Sequence, residues 1–139
     1  MYIQIFSKFQ ELVSLVHNAV IFEAKNTLSG EIDGDITFSE WPISINSNID
    51  LSTGIMTVQM DAMYSMSILA SFKGSASIQM KQNGQVTNQW SAESSSVMTQ
   101  MFSVQKRLSK GDLISFSVSS GTILATETYP FVFSGRAEI

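Results

Sequence analysis

The chain has no cysteine, one histidine, two prolines and few charges. Without cysteine there is neither a disulfide framework nor a thiolate metal site. The single histidine, His17, has no cysteine to pair with, and no Ser-His pairing can be placed from the sequence. Nucleophilic catalysis of the usual kind therefore lacks its general base. Charged residues are only 14% of the chain, against about 25% in an average soluble domain. With a net charge of −4 and no basic stripe, the electrostatic footprint of nucleic-acid binding is missing. No apolar run approaches 18 residues, so nothing here spans a bilayer as a helix. The N-terminus has no basic leader region, and Lys8, Gln10 and Glu11 interrupt its apolar stretch.

What is abundant is Ser, Thr, Gln and Asn interleaved with aliphatic and aromatic residues. At 139 residues and 44% hydrophobic, the chain makes one domain with a substantial core. So little charge suits an oligomer with a buried apolar face, and it equally suits a weakly charged monomer.

Residues 1–18 differ from the rest. Tyr2, Phe6, Phe9, Val13 and Val16 repeat with spacings of four and three. That pattern predicts a short amphipathic helix, either a trimer stem or a helix docked on its own sheet. From Ala19 onward the period is two. Tyr64, Met66, Ile68, Ala70 and Phe72 alternate with Ser65, Ser67 and Ser71, with Leu69 the apolar exception on that side. Successive side chains of a strand point to opposite sides, so this is a half-buried strand. Asp50–Phe72 reads as a hairpin-like unit turning at Thr53-Gly54. Trp41-Pro42 marks an edge or a turn, because proline cannot donate to a ladder. Lys73-Gly-Ser75 reads as a turn, Asn83-Gly84 as a hairpin, and Ala92–Ser96 as a Ser-rich loop. Ile114, Phe116 and Val118 alternate with serines. About eight to ten short strands with regular turn signals predict an all-β sandwich, jelly roll or barrel.

Several motifs then fall in a familiar order. Ile36-Thr-Phe38, Asn46, Thr53-Gly54, Ala62-Met-Tyr64, Lys81-Gln-Asn-Gly84, Leu108-Ser-Lys-Gly-Asp112 and Phe133-Ser-Gly135 together resemble the complement C1q-like globular domain of the C1q/tumour necrosis factor superfamily. The resemblance covers residues 19–139. It departs where Ala62 replaces the glycine of the G-x-Y motif, and no collagen repeat precedes the domain. It implies a ten-stranded jelly-roll sandwich of two antiparallel sheets that assembles as a homotrimer. It also implies a secreted or surface-exposed recognition module, not an enzyme. The partner expected is a protein or carbohydrate. A trimeric tip of a viral, phage or spore fibre is the alternative.

Candidate site residues are few. Glu31, Asp33 and Asp35 alternate around Gly34 and offer oxygens to calcium; no other cofactor is expected. The family's calcium loop after the G-x-Y strand aligns with Lys73-Gly-Ser75, which has no carboxylate. Trp41 and Trp90 beside loops, with Lys106 and Arg107 at a strand end, are candidate ligand anchors, Trp being a frequent hot-spot residue. Tyr64, Met66, Ile68, Phe131 and Phe133 are expected in core or trimer packing.

Overall fold

The computed structural model describes residues 19–138. The amphipathic segment 1–18 and His17 lie outside the described residues. Ten strands follow in order: β1 Ala19–Asn26, β2 Gly30–Ile32, β3 Glu40–Ile45, β4 Ile49–Asp50, β5 Ile55–Thr57, β6 Ala62–Gln82, β7 Gln85–Leu108, β8 Leu113–Ser120, β9 Ile123–Ala125 and β10 Phe131–Glu138. All pairings are antiparallel. The all-β expectation holds.

The architecture rests on one ribbon. β6 and β7 pair from Ala62↔Leu108 to Gln82↔Gln85. Asn83 and Gly84 close the hairpin, both at positive φ (54° and 82°). A two-residue turn with that backbone matches strand twist, which is why Asn-Gly is favoured. The ribbon folds over on itself near the register shift at Phe72/Gly74. Its first half joins sheet I, in the order β3-β1-β10-β6-β7. Its second half joins sheet II, in the order β4-β5-β8-β6-β7. The two sheets face each other across the core: Phe116 of β8 meets Phe133 of β10, ring centroids 4.7 Å apart.

Two sequence expectations are corrected here. Lys73-Gly-Ser75 is not a turn between strands, and Ala92–Ser96 is not a loop; both lie within continuous strands. Gly74 supplies positive φ (87°) at the fold-over, and pairing along the ribbon overrides the loop-like Ser and Gly composition. Nor do Asp50–Phe72 form one hairpin. β5 pairs with β4 and β8, while β6 pairs with β7, β8, β9 and β10.

The inner phase of the ribbon is core: Tyr64, Met66, Ile68, Ala70, Phe72, Ile78 and Met80 are all at most 3% exposed. Two glycines are fixed by close approach. A Cβ on Gly54 (φ 72°) would run into the Ile36 carbonyl oxygen, so the Thr-Gly turn takes no side chain. A Cβ on Gly135 meets the Phe22 ring at 2.5 Å. That missing side chain lets Phe22 pack 4.9 Å from Phe133.

Candidate interaction surface

The outward face of sheet I follows from register. Crossing from β3 to β7, one row reads Ile45, Ile21, Arg136, Ser65, Gln105. The next reads Ile43, Glu23, Ser134, Ser67, Ser103. The third reads Glu40, Lys25, Val132, Leu69, Met101. Ile21 and Ile43 are each 41% exposed and Met101 61%. The small serines leave a shallow groove of about 760 Å³ between the aliphatic wall of β1 and β3 and the side chains of Gln105 and Arg136. Its hydroxyl floor is internally paired. Ser67 Oγ and Ser134 Oγ are 3.1 Å apart, and Gln105 Nε2 donates to Ser65 Oγ at 3.1 Å. A polar floor already hydrogen-bonded loses little when it is covered.

The far side of sheet I ends in β7, which pairs only with β6 and forms an edge. Its two halves close the rim of the sandwich against each other. Trp90 stacks on Phe102 with centroids 5.8 Å apart, and Lys106 Nζ donates to Asn88 Oδ1 at 3.4 Å. Two of the candidate anchors, Trp90 and Lys106, are therefore engaged inside the protomer. Trp41 sits on β3 at the opposite edge and packs against the core. Its Nε1 is buried without a hydrogen-bond partner among the described residues. Of the four, only Arg107 is exposed. The structure does not bring the two tryptophans together.

The other candidates are quickly placed. Tyr64, Met66, Ile68, Phe131 and Phe133 are at most 3% exposed and face the core, not the outside of sheet I. Tyr64 donates from its hydroxyl to the Met60 carbonyl at 2.9 Å. Burial, with the Asp61 charge adding to it, pushes its pKa above the usual value. Glu31, Asp33 and Asp35 are exposed, and among the described residues no three His, Asp or Glu side chains are grouped to hold a metal ion.

One cluster escaped the sequence reading. Asp112 accepts from the Ser109 backbone N–H at 2.9 Å, Asn83 Nδ2 at 3.1 Å and Gln82 Nε2 at 3.2 Å. Asn83 Oδ1 accepts the Leu113 N–H at 2.8 Å, and Asp61 accepts the Lys110 N–H at 2.7 Å. Three turns are thus tied together at one end of the sandwich. The Ser109 N–H first, and then Asn83, hold the Asp112 carboxyl below its ordinary value. The Leu-x-x-Gly-Asp spacing was visible in the sequence; its partners, about 30 residues away, were not.

No protein-family model and no curated protein matches this sequence. Solved structures do. The Eiger TNF of S. frugiperda aligns over 88% of this chain and 93% of its own, with a TM-score of 0.69 at 13% identity. The globular domain of zebrafish complement 1qA protein aligns over 84% and 94%, with a TM-score of 0.64 at 17% identity. The chain has the C1q/tumour necrosis factor fold. Its two-sheet sandwich is thus the jelly roll of that group. At these identities the C1q/tumour necrosis factor likeness is one of architecture.

Proposed function

We propose that this chain is a non-enzymatic recognition module that assembles as a homotrimer through the outer face of sheet I. The observation that carries the reading is that face itself: Ile21, Ile43, Ile45, Leu69, Val132 and Met101 turn outward, on a chain with little charge. Aliphatic surface of this kind favours burial by roughly 25 cal/mol per Å². A rotational assembly repeats the loops of one protomer three times at each end. Three weak contacts then act together through effective concentration. The partner is a protein or glycan met outside the cell or on a particle surface. No metal or cofactor is invoked.

Light scattering on a gel-filtration peak tests the assembly. Three protomers of 15.3 kDa give about 46 kDa; a mass of one protomer overturns the reading. Repeating the measurement on residues 19–139 separates two forms of it. A trimer in both cases makes the β domain sufficient. A trimer only with residues 1–18 present moves the weight to a fibre tip held by its stem. Turnover of any glycan in a saccharide panel, in place of simple binding, overturns the non-enzymatic part.

A further inference from the structure

The outer face of sheet I carries charges of both signs, two of which have no side-chain partner among the described residues. Glu23 lies in the middle of β1 and Arg136 in the second half of β10. Glu23 is flanked across the sheet by Ile43 and Ser134, and Arg136 by Ile21 and Ser65. Both line the serine-floored groove. Among the described residues, the side chain of neither makes an ion pair or a hydrogen bond. They are diagonal neighbours on one face, within reach of each other by strand geometry, yet their charged groups do not meet.

Covering this groove removes water from both groups. A desolvated charge without a counter-charge is strongly unfavourable. Lys25 stands two residues from Glu23 on the same face, so a cover that leaves these groups as they stand is favoured when it brings a cation to Glu23 and an anion to Arg136. A nucleic acid or an anionic membrane brings one sign only. A second copy of the chain brings both, because the patch is complementary to itself in charge.

We infer that in the assembled protein Arg136 of one protomer pairs with Glu23 of the next, completing the groove with a residue from the neighbour. The inference rests on the trimer proposed above. Each protomer donates one guanidinium and receives one. Each copy then uses Arg136 toward one neighbour and Glu23 toward the other, the heterologous arrangement that a threefold ring requires, whereas mutual exchange between two copies would give a dimer. The pair fixes rotational register, a role for which apolar contact alone is too permissive.

Charge exchange in the full chain is the test. Glu23→Arg places two cations at the contact and Arg136→Glu two anions. Each single variant is expected to lose the trimer, its mass falling about threefold. The double variant E23R/R136E restores the opposite charges and is expected to recover the trimer mass. Circular dichroism confirms that every variant keeps its β structure. Should a reversal unfold the chain, Glu23→Gln and Arg136→Gln replace it. Each is then expected to raise the dissociation midpoint at least tenfold, with the double Gln variant dissociating less readily than either single. Single reversals that remain trimeric overturn the pair and leave the trimer standing, as does a folded double variant that stays monomeric. A monomeric wild-type chain overturns the trimer itself, and the pair with it.

Discussion

Sheet I and sheet II are built on the same ribbon, with the same alternation, and they present unlike outer faces. Outside sheet II, Lys81 opposes Ser115, and Gln79 sits between Ser117 and Gln89. Ser77 Oγ lies 2.8 Å from Ser91 Oγ. Outside sheet I, the same serine spacing is bordered by isoleucines, a valine, a leucine and a methionine, with the charges of Glu23, Lys25, Glu40 and Arg136 set among them. The inward residues of both halves are equally buried. Folding therefore demands only the inner phase of the ribbon. The outer phase is free to differ: outside sheet II the exposed aliphatics Val86 and Leu113 stand apart from any such groove, and outside sheet I they flank the one proposed above to meet a neighbour.

The largest break in this comparison removes what both sheets share. Tyr64→Asp puts a carboxylate in the core and deletes a packed ring. Truncating a buried aromatic alone costs about 3–5 kcal/mol, so the variant is expected to lose cooperative unfolding and the circular-dichroism signature of both sheets. A sharper comparison sets one face against the other. Ile43 on sheet I and Leu113 on sheet II are 41% and 42% exposed. Ile43→Lys is expected to reduce the mass threefold in light scattering, while Leu113→Lys leaves it unchanged. Equal effects from the two would erase the distinction between the faces. A smaller effect is local to sheet I: Gly135→Ala drives a methyl into Phe22 and is expected to lower stability by about 1–3 kcal/mol in urea unfolding.

The smallest effect belongs to the Asp112 clamp. Its carboxyl titrates below the ordinary 3.8. The stability it contributes is therefore complete above that ordinary value and is lost as pH falls through the lowered one. The contribution is small because the group is close to solvent. The unfolding midpoints of wild type and Asp112→Asn should differ slightly at neutral pH and converge in strong acid. A gap that persists in acid would show that the substituted amide disturbs the turn by shape alone.

Much of this was legible. Period-two alternation gave the inner phase of β6 and β8, and Asn83-Gly84 gave the hairpin, because both are local properties of the chain. Pro42 marked an edge or a turn, and β3 is an edge strand, since proline cannot donate to a ladder. The continuity of β6 and β7 was not legible. Gly74 and Ser94–Ser96 are loop-like in isolation and become strand only because the β6–β7 pairing resumes, across a register shift, on both sides of them. The Glu23–Arg136 arrangement was hidden for a related reason: the two residues are brought together by the β1–β10 register, which no short window contains. The available hint was a charge at an outward position in each strand, Glu23 in β1 and Arg136 in β10, with a residue of opposite charge two places on in sequence, Lys25 and Glu138. For Glu31, Asp33 and Asp35 the reverse applies. Local spacing suggested a cluster, but the fold leaves all three residues exposed to solvent.

The place of β10 has a consequence for how the molecule comes into being. It lies between β1 and β6, pairing Ala19 with Glu138 on one side and Leu69 with Val132 on the other. The ribbon zips from its own turn through contacts close in sequence, and β8 can join it soon after. β1 can pair with β3 early, but for β10 it must wait through roughly a hundred intervening residues, with the entropic cost of closing so long a loop. During synthesis sheet II can therefore form while sheet I stands open beside β6, with Phe22 lacking its Phe133 partner. The nascent chain passes through a half-built state whose exposed strands most need protection until residues 131–138 emerge.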